Sequence, residues 1–575
     1  MSTSVTAQWN VAEPDQAQVD SLKNALSVGP VLASLLVQMG YEDADQARQF
    51  LEARLADLDD PFAIKHVREA VERIRQAMRE GESVCVMGDY DVDGVTSTTL
   101  LISVLRLFGL DPRAFMPLRL EEGYGLSRVA LKRLFAEGRP DLLIVADSGT
   151  NSVEEVAFLR TQGVDVIIID HHRSKEKTPE DCILINPHVN DSQEAPWLHL
   201  CSVGLAFKVA HGLVKALREE GDPQAHEVRV KDTLDLVALG TVADLMPLQK
   251  ENRILVKHGL DCLAKSPRPG IHALFRVSGM ELGQPVLPMD ISYKLGPRIN
   301  ASGRLADALL PIEMLLSEDS QVSFKAAKEL DVMNRERQEI ERQIWEEAQA
   351  AVEADQLEEP GIVLHNPNWH SGVVGIVAGK LCRHYQRPCI VLGQEGAFAK
   401  GSGRSVPGIN LVEVLQHCDG LLESWGGHPM AVGVVFKPAD YDVFRERFSE
   451  AVKHSLEGGL PEKILSLAYW LSPEQVDAAL LEELDRLHPF GEKNAQPIFG
   501  IRGARLLSPP KCFGRNHYRF QIETQPGQSV WGVAWGKADA LPPCGKPIEL
   551  AVKMAWNVWN GRRSIQLELI DWRCS

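Results

Sequence analysis

The stretch Gly88 to Thr98, GDYDVDGVTST, places aspartates at three alternate positions, Asp89, Asp91 and Asp93, directly after the apolar run SVCVM. Three other apolar runs also end on acids or imidazoles. Asp147 closes LLIVAD, Asp170, His171 and His172 close VIIIDHH, and Asp244 closes LVALGTVAD. Carboxylates gathered within a few ångströms cannot all stay ionised without a counter-charge, because like charges at that range push each other's pKa up. One or two divalent cations resolve the conflict. Oxygen-rich ligation with an imidazole or two suits Mn²⁺ or Mg²⁺ better than a structural zinc, which favours thiolates.

Such convergence needs elements that bring distant segments to one edge. From Ser83 onward, short β-branched runs alternate with helical stretches: SVCVMG, TSTTLLISVLRLFG, DLLIVAD, SVEEVAFLRTQG and VDVIIID. That alternation predicts an α/β fold, a parallel sheet covered by helices on both faces, which is why the runs are apolar throughout. In such a sheet the strand C-termini share one edge, where ligands bind, and the acids fall repeatedly on it. Any one of them taken alone is equally a cap or turn residue. The set of Asp91, Asp93, Asp147, His171 and Asp244 is what points to a site.

At 575 residues the chain exceeds the roughly 250 to 300 residues at which single cores stop growing, so several domains are expected. Its 44% hydrophobic and 24% charged residues are those of an ordinary globular protein. The start, MSTSVTAQWNVAEPDQ, has no basic segment followed by an apolar one, and no uninterrupted apolar run reaches the roughly 18 residues of a membrane span. A cytoplasmic protein without a membrane association is expected. None of the ten cysteines forms a C-x-x-C pair, which argues against a disulfide framework or zinc ribbon and for a reducing compartment.

The net charge of −18 argues by itself against a nucleic-acid partner, but it is unevenly spread. Residues 501 to 575 hold 11 Lys and Arg against 5 Asp and Glu, a balance of +6, which leaves −24 for residues 1 to 500. Five of the eleven tryptophans lie in the same basic tail. Its segments CFGRNHYRF and VWGVAW interleave aromatic and cationic residues, among them Arg519 and Trp531, as suits stacking on single-stranded nucleic acid. Aromatic side chains in a barrel core account for the same pattern.

Periodicity and composition divide the chain into a helical lead-in (1–80), a parallel-sheet domain (81–317), a charged, Gly-free connecting helix (318–359), a second, glycine-rich α/β domain (360–458) and a β-rich domain (465–575). No internal repeat is apparent.

The motifs DYDVDG, VADSGT, IIIDHH and VADLMPL, in that order, resemble those of the DHH phosphoesterase superfamily, and GGHPMAVG resembles the glycine-histidine signature of its accessory DHHA1-type domain. With RLEEGYGLS, GPRINASGRLADA, NWHSGVVGIVAGKL, KGSGRSVPG and HPFGEKNAQPIF, the resemblance extends from about residue 80 to the end and is to the RecJ family of 5′-to-3′ exonucleases acting on single-stranded DNA. It implies two ions, with Asp91 on one, Asp93 on the other, Asp147 bridging, His171 and Asp244 completing the second site, Asp89 close by and His172 facing the scissile phosphate. It also implies a pocket for the terminal 5′ phosphate from Arg119, Ser402 and Arg404, strand contacts from Arg298 and His428, with Arg304 serving the same groove or bracing it, and an OB-like barrel at the C-terminus. A helicase and a single-strand-binding protein are the implied partners, of a monomer working in recombination and repair. The chain departs from the family at Ser148, where Asn is also familiar, and at Lys493, in a stretch often richer in glycine.

Two other readings fit part of this pattern. A DHH-type phosphohydrolase of pyrophosphate, short oligonucleotides or cyclic dinucleotides would share the two-domain core but has no need of a strand-binding barrel. A non-catalytic nucleic-acid-binding protein would be expected to lack a ligand, yet every motif position is filled.

Overall fold

The computed structural model describes residues 8–118, 122, 125–174, 177–305, 308–456, 464–559 and 561–574. Arg119 lies outside the described residues, as do the side chains of Arg304 and Trp559.

The run Val84–Met87 (β1) is buried at every position. After the aspartate loop comes α1 (Val92–Leu107), which Asp91 caps by accepting hydrogen bonds from the amides of Asp93 (2.9 Å) and Gly94 (3.2 Å). Strands β2 (Arg113–Phe115), β3 (Leu142–Ala146), β4 (Asp165–Ile169) and β5 (Ile183–Ile185) complete an all-parallel sheet in the order β2-β1-β3-β4-β5. Its runs do not alternate because both faces are covered. Alternate residues point to two cores, one under α1, α2 (Ser202–Glu219) and α3 (Leu234–Ala243), the other under helices Arg128–Glu137 and Val153–Thr161. The strand order reverses between β1 and β3, and there the carboxyl ends open a crevice.

One element departs from expectation. LVALGTVA, read as a further run ending on the strand edge, lies in α3, a helix buried all round and packed between α1 and α4 (Lys250–Ala264). A short run that is apolar on every side reads equally as buried strand or buried helix, and only its neighbours decide.

Helix α5 (Gly296–Leu305) follows a single π-helical turn, Ile291–Leu295. The connecting helix α6 (Ser320–Ala351) is 32 residues long and is started by Asp319, whose carboxylate accepts from the Gln321 amide at 2.7 Å. At 1.5 Å per residue it spans about 48 Å. Leu330 enters the first core, whereas Ile344 and Ala348 enter the core of the second domain. That domain has a mixed sheet of β6 (Ile362–His365), β7 (Cys389–Glu395), β8 (Phe398–Arg404), β9 (Ser424–His428) and β10 (Ala431–Phe436), ordered β9-β10-β8-β7-β6, with α7 (Ser371–Tyr385) packed on β7 and β8.

In the C-terminal domain β11 (Phe499–Ala504), β12 (His517–Gln525), β13 (Gln528–Ala534), β14 (Ile548–Trp559) and β15 (Arg562–Cys574) form a barrel. The sheet runs β11-β14-β15-β13-β12, with β13 and β15 parallel, and a bridge from Leu506 to Ile522 closes it back on the end of β11. Gly532 on β13 pairs with Phe520 on the neighbouring β12, where a Cβ would meet the phenyl ring at 2.2 Å.

The N-terminal segment divides between two bodies. Helices Gln16–Leu26, Pro30–Gln38 and Ala44–Glu52 share the barrel's core, while Val67–Glu80 packs in the parallel-sheet core. Strand Gln8–Val11 pairs in parallel with Ile464–Leu467. Among the described residues no helix is long and apolar enough to cross a membrane.

Candidate active site

The crevice at the β1/β3 reversal collects the acids. Asp89 and Asp91 leave β1, Asp93 sits in the first turn of α1, Asp147 leaves β3, and His171 and His172 leave β4. Asp244 reaches the same spot from the C-terminal end of α3. The Nε2 of His171 lies 3.3 Å from Asp147, 3.5 Å from Asp244 and 3.8 Å from Asp93. Three sets, Asp89 with Asp91 and Asp147, Asp93 with His171 and Asp244, and Asp147 with His171 and His172, each offer ligand atoms within 4.8 Å of one another. Asp147 belongs to two of these sets and adopts a left-handed backbone, φ 66°.

Electrostatics set these groups against one another. Burial, then the carboxylates of Asp93, Asp91, Asp89 and Asp244, push Asp147 far above the ordinary aspartate range. Burial, then Asp93 and Asp91, likewise raises Asp244. Asp93 is raised by burial and by Asp91 against the opposing pull of His171, and burial lowers His171. Cation chemistry fits this set on two observations. The buried Oδ2 of Asp244 has no hydrogen-bond donor among the described residues, and the donors are carboxylate oxygens with imidazole nitrogen, as hard divalent ions prefer. Cys201 beside them is no thiolate, since burial and Asp93 hold its pKa far up.

The cluster is framed by groups that the sequence does not advertise. Both oxygens of Asp93 accept backbone amides at the start of α2, Ser202 and Val203, each at 2.8 Å. The Ser202 hydroxyl donates to Asp147 at 3.1 Å. Asp170 is fully buried and accepts from the His171 amide (2.8 Å), the His172 amide (3.2 Å) and the Thr150 amide (3.0 Å), and pairs with His172 Nδ1 at 2.7 Å. Burial alone would lower His172, but the Asp170 hydrogen bond and charge outweigh it and raise the imidazole to about 9. Asp170 stays ionised against its burial because of the same contact. Asn186 then ties the Thr150 hydroxyl to the His172 carbonyl, both at 2.8 Å. Asp170 carried a partial signal, since it abuts the two histidines, as did Thr150, the last residue of the motif VADSGT; Asn186 and Ser202 carried none.

Helix α5 links this loop to the second domain. Asn300 accepts from the Val92 amide at 3.0 Å, Gly303 leaves no room for a Cβ against Tyr90, and α5 packs on α7. On β8, Ser402 and Arg404 face α7 at Gly375, where a Cβ would lie 3.1 Å from the Ser402 hydroxyl and 3.7 Å from Arg404 Nη2. Among the described residues, the side-chain hydrogen bond of Arg404 goes to the Gly403 carbonyl at 2.8 Å, and burial lowers its pKa, the condition of a cation partly withdrawn from water. Sequence reasoning passed over Gly375, although it lies in a quoted motif. The β9–β10 hairpin pairs with β8, Ala431 opposite Arg404 and Gly433 opposite Ser402, and holds His428 exposed at its tip.

Other expected residues stand apart from this centre. Arg298 is engaged within the protein, donating to Asp331 (3.0 Å) on the connecting helix and to the carbonyls of Lys294 (2.6 Å) and Val277 (3.3 Å). Those contacts brace α5 rather than present a free guanidinium. On the barrel, Trp531 is 45% exposed and Arg519 stands over its ring at 5.7 Å. Trp556 and Trp572 pack against the barrel core, and Trp535 groups with Phe513 and His517 on the surface.

Comparison with known proteins agrees with this geometry. The description of the DHH family, N-terminal domain, matches residues 83–241, the DHHA1 domain 358–454 and the RecJ OB domain 468–571. The chain is 36% identical over 571 residues to the single-stranded-DNA-specific exonuclease RecJ of Bacillus subtilis, covering 98% of this chain and 70% of that one. Its fold is similar to the crystal structure of RecJ in complex with Mn²⁺ from Thermus thermophilus, at a TM-score of 0.82 and 29% identity over 99% of this chain and 80% of that one. The corresponding Mg²⁺ complex gives a TM-score of 0.76 at 28% identity, over 99% and 78% of the two chains.

Proposed function

The chain belongs to the RecJ family of single-stranded-DNA-specific exonucleases, and from that premise we propose that it hydrolyses phosphodiester bonds of single-stranded DNA, one end at a time, with two Mn²⁺ or Mg²⁺ ions. The observation that carries this reading is the gathering of Asp89, Asp91, Asp93, Asp147, His171 and Asp244, buried or half-buried, at the sheet's switch point. Asp91 and Asp89 would hold one ion, Asp93, His171 and Asp244 the other, and Asp147 both. Bound there, the ions supply a water-derived nucleophile at neutral pH and charge for the phosphate oxygens.

The chain's own groups do the rest. Asp93 is fixed in orientation by the two α2 amides. His172, held as an imidazolium by Asp170, faces the scissile phosphate and donates a hydrogen bond to an oxygen that gains charge. Ser402 and Arg404, with Arg119, receive the terminal 5′ phosphate, a planar guanidinium suiting a phosphate monoester. Capture of that group ahead of the reacting bond gives 5′-to-3′ polarity. His428 closes the groove from the hairpin, and Arg519 and Trp531 hold a downstream stretch of strand by charge and stacking. Arg304 shares the groove; Arg298 serves it by bracing α5.

The proposed limits are a parallel-sheet domain over 81–317, the connecting helix over 318–359, a substrate-closing domain over 360–458 and the barrel over 465–575, with 1–80 leading in. A site that accepts only single strands calls for a helicase to make them and a single-strand-binding protein to present them, in recombination and repair. The ten unpaired cysteines suit a cytoplasmic monomer.

End-labelled strands test the reading. With Mn²⁺ or Mg²⁺, a 5′-labelled oligonucleotide should release short labelled products at once, and a 3′-labelled one should shorten progressively. The reverse pattern removes the 5′ pocket, and turnover of pyrophosphate or dinucleotides in place of the strand removes the exonuclease.

A further inference from the structure

Asp244 differs from the other acids of the cluster. Asp91 caps a helix and Asp93 is gripped by two amides, but the buried Oδ2 of Asp244 accepts no hydrogen bond among the described residues. Apart from the His171 imidazole at 3.5 Å, its place is set by the backbone, through its amide to the Gly240 carbonyl (2.9 Å) and the Met246 amide to the Thr241 carbonyl (3.1 Å). The following segment is strained at both ends. Leu245 and Lys250 are non-glycine residues in the left-handed region, φ 55° and 46°, conformations that persist only where surrounding contacts over-determine them.

Lys250 is tied to the parallel-sheet domain through the Glu194 carbonyl (3.1 Å), and the residues around it meet the barrel's body. The Leu248 amide donates to the Glu492 carbonyl at 2.8 Å, and the Gln249 side chain reaches the Lys493 carbonyl at 3.3 Å. Gly491 lies so close that a Cβ would meet Leu248 Cδ1 at 2.6 Å. One turn into α4, Arg253 is 1% exposed and donates to four carbonyls: Phe50 (2.7 Å), Leu487 (3.0 Å), Arg486 (3.1 Å) and His488 (2.9 Å). Its guanidinium also lies 3.7 Å from the Phe50 ring centroid. A buried cation at two helix C-termini satisfies carbonyls that would otherwise be orphaned and complements their dipoles. Four residues on, Lys257 extends the clamp to the carbonyls of Leu51 (2.9 Å) and Glu52 (2.8 Å). The same segment faces the other arm of the cluster. Glu251 pairs with the buried Lys208 of α2, at 2.5 Å, and α2 is the helix whose first amides hold Asp93.

We propose that residues 244 to 253 form a strut through which the C-terminal barrel sets the position of Asp244, with Gly491 and Arg253 acting as positioning residues for the metal centre. This inference rests on the reading of Asp244 as a ligand. The barrel then has two tasks, holding the strand and completing the cation site, and what disturbs its seating loosens an ion far from the disturbance. Linkage makes the effect reciprocal: ion binding tightens the barrel's seat.

The test is calorimetric titration of Mn²⁺ into the full chain without DNA, on variants shown folded by circular dichroism. Asp244→Asn, the reference, should lose one ion or bind it at least about 100-fold more weakly. Gly491→Val, which pushes Leu248 away, should weaken Mn²⁺ about tenfold with unchanged stoichiometry, as removal of a ligand's supporting contact does. Arg253→Met should do the same or more, and if it fails to fold, Gly491→Val decides. Val391→Ala, a comparable loss in the second domain's core, should leave Mn²⁺ affinity unchanged. If Gly491→Val is folded and binds Mn²⁺ like the parent while Asp244→Asn does not, the strut is wrong and the ligand assignment stands. If Asp244→Asn also binds normally, both fall.

Discussion

The acidic cluster and the barrel face that carries Trp531 and Arg519 are built on opposite plans. In the cluster, Asp93 and Asp147 are at most 2% exposed and each ionisable group shifts its neighbours. On the barrel, Trp531 is 45% exposed and Arg519, also exposed, stands 5.7 Å from its ring centroid. Buried groups of like charge have no meaning singly, so each loss is large and non-additive. Exposed stacking and charge contacts are nearly independent, so each loss is small and losses add. The pocket at Ser402 and Arg404 lies between the two, half withdrawn from water.

The sharpest break of this contrast is at Asp147. Asp147→Ala should lower hydrolysis at least about 10³-fold, the scale of several kcal/mol supplied by a metal centre, while retaining strand binding in a gel-shift assay. Hydrolysis left intact would take Asp147 out of the bridging role. Next, His172→Ala should lower kcat about 10²-fold, as loss of a positioned proton donor does, with little change in KM. Asp170→Asn, which leaves His172 in place but unoriented, should cost about tenfold. Equal effects from the two substitutions would mean that Asp170 does more than orient.

Arg404→Ala should raise KM about tenfold for 5′-phosphorylated strands and leave 5′-hydroxyl strands nearly unaffected, since a charge-assisted contact is worth roughly 1.5 to 3 kcal/mol. Equal loss on both substrates would sharpen the comparison differently, by making Arg404 a strand contact. The smallest effects belong to the barrel. Trp531→Ala should weaken strand affinity about fivefold, the low end of a stacking contribution near 1 kcal/mol. Arg519→Ala should flatten the dependence of log affinity on log salt by about 0.7, one phosphate contact on a single strand. An effect of either on kcat as large as that of His172→Ala would erase the distinction between the regions.

Legibility in the sequence followed the same divide. The strands β1, β3 and β4 were readable because runs buried on both faces are apolar throughout, and the acids ending them were readable because charge at the mouth of a buried strand is unusual. LVALGTVA resisted because length and hydrophobicity do not separate a buried helix from a buried strand, although Asp244 still arrived at the cluster. The resemblance implied a strand contact at Arg298 and did not reveal its partner within the fold, Asp331, which is on another helix.

The order of motifs along the chain determined the parallel sheet and the family and singled out the acids that meet in the cluster, since those rest on local periodicity, motif order and residue type. Tertiary structure alone decided what holds them. The amides that grip Asp93 come from residues 202 and 203, the carboxylate that charges His172 is already engaged with the Thr150 amide, and the carbonyls that clamp Arg253 come from both ends of the chain. Backbone amides and carbonyls are the same in every residue, so their use as ligands of a side chain leaves no mark in the sequence and exists only once the fold has brought them near.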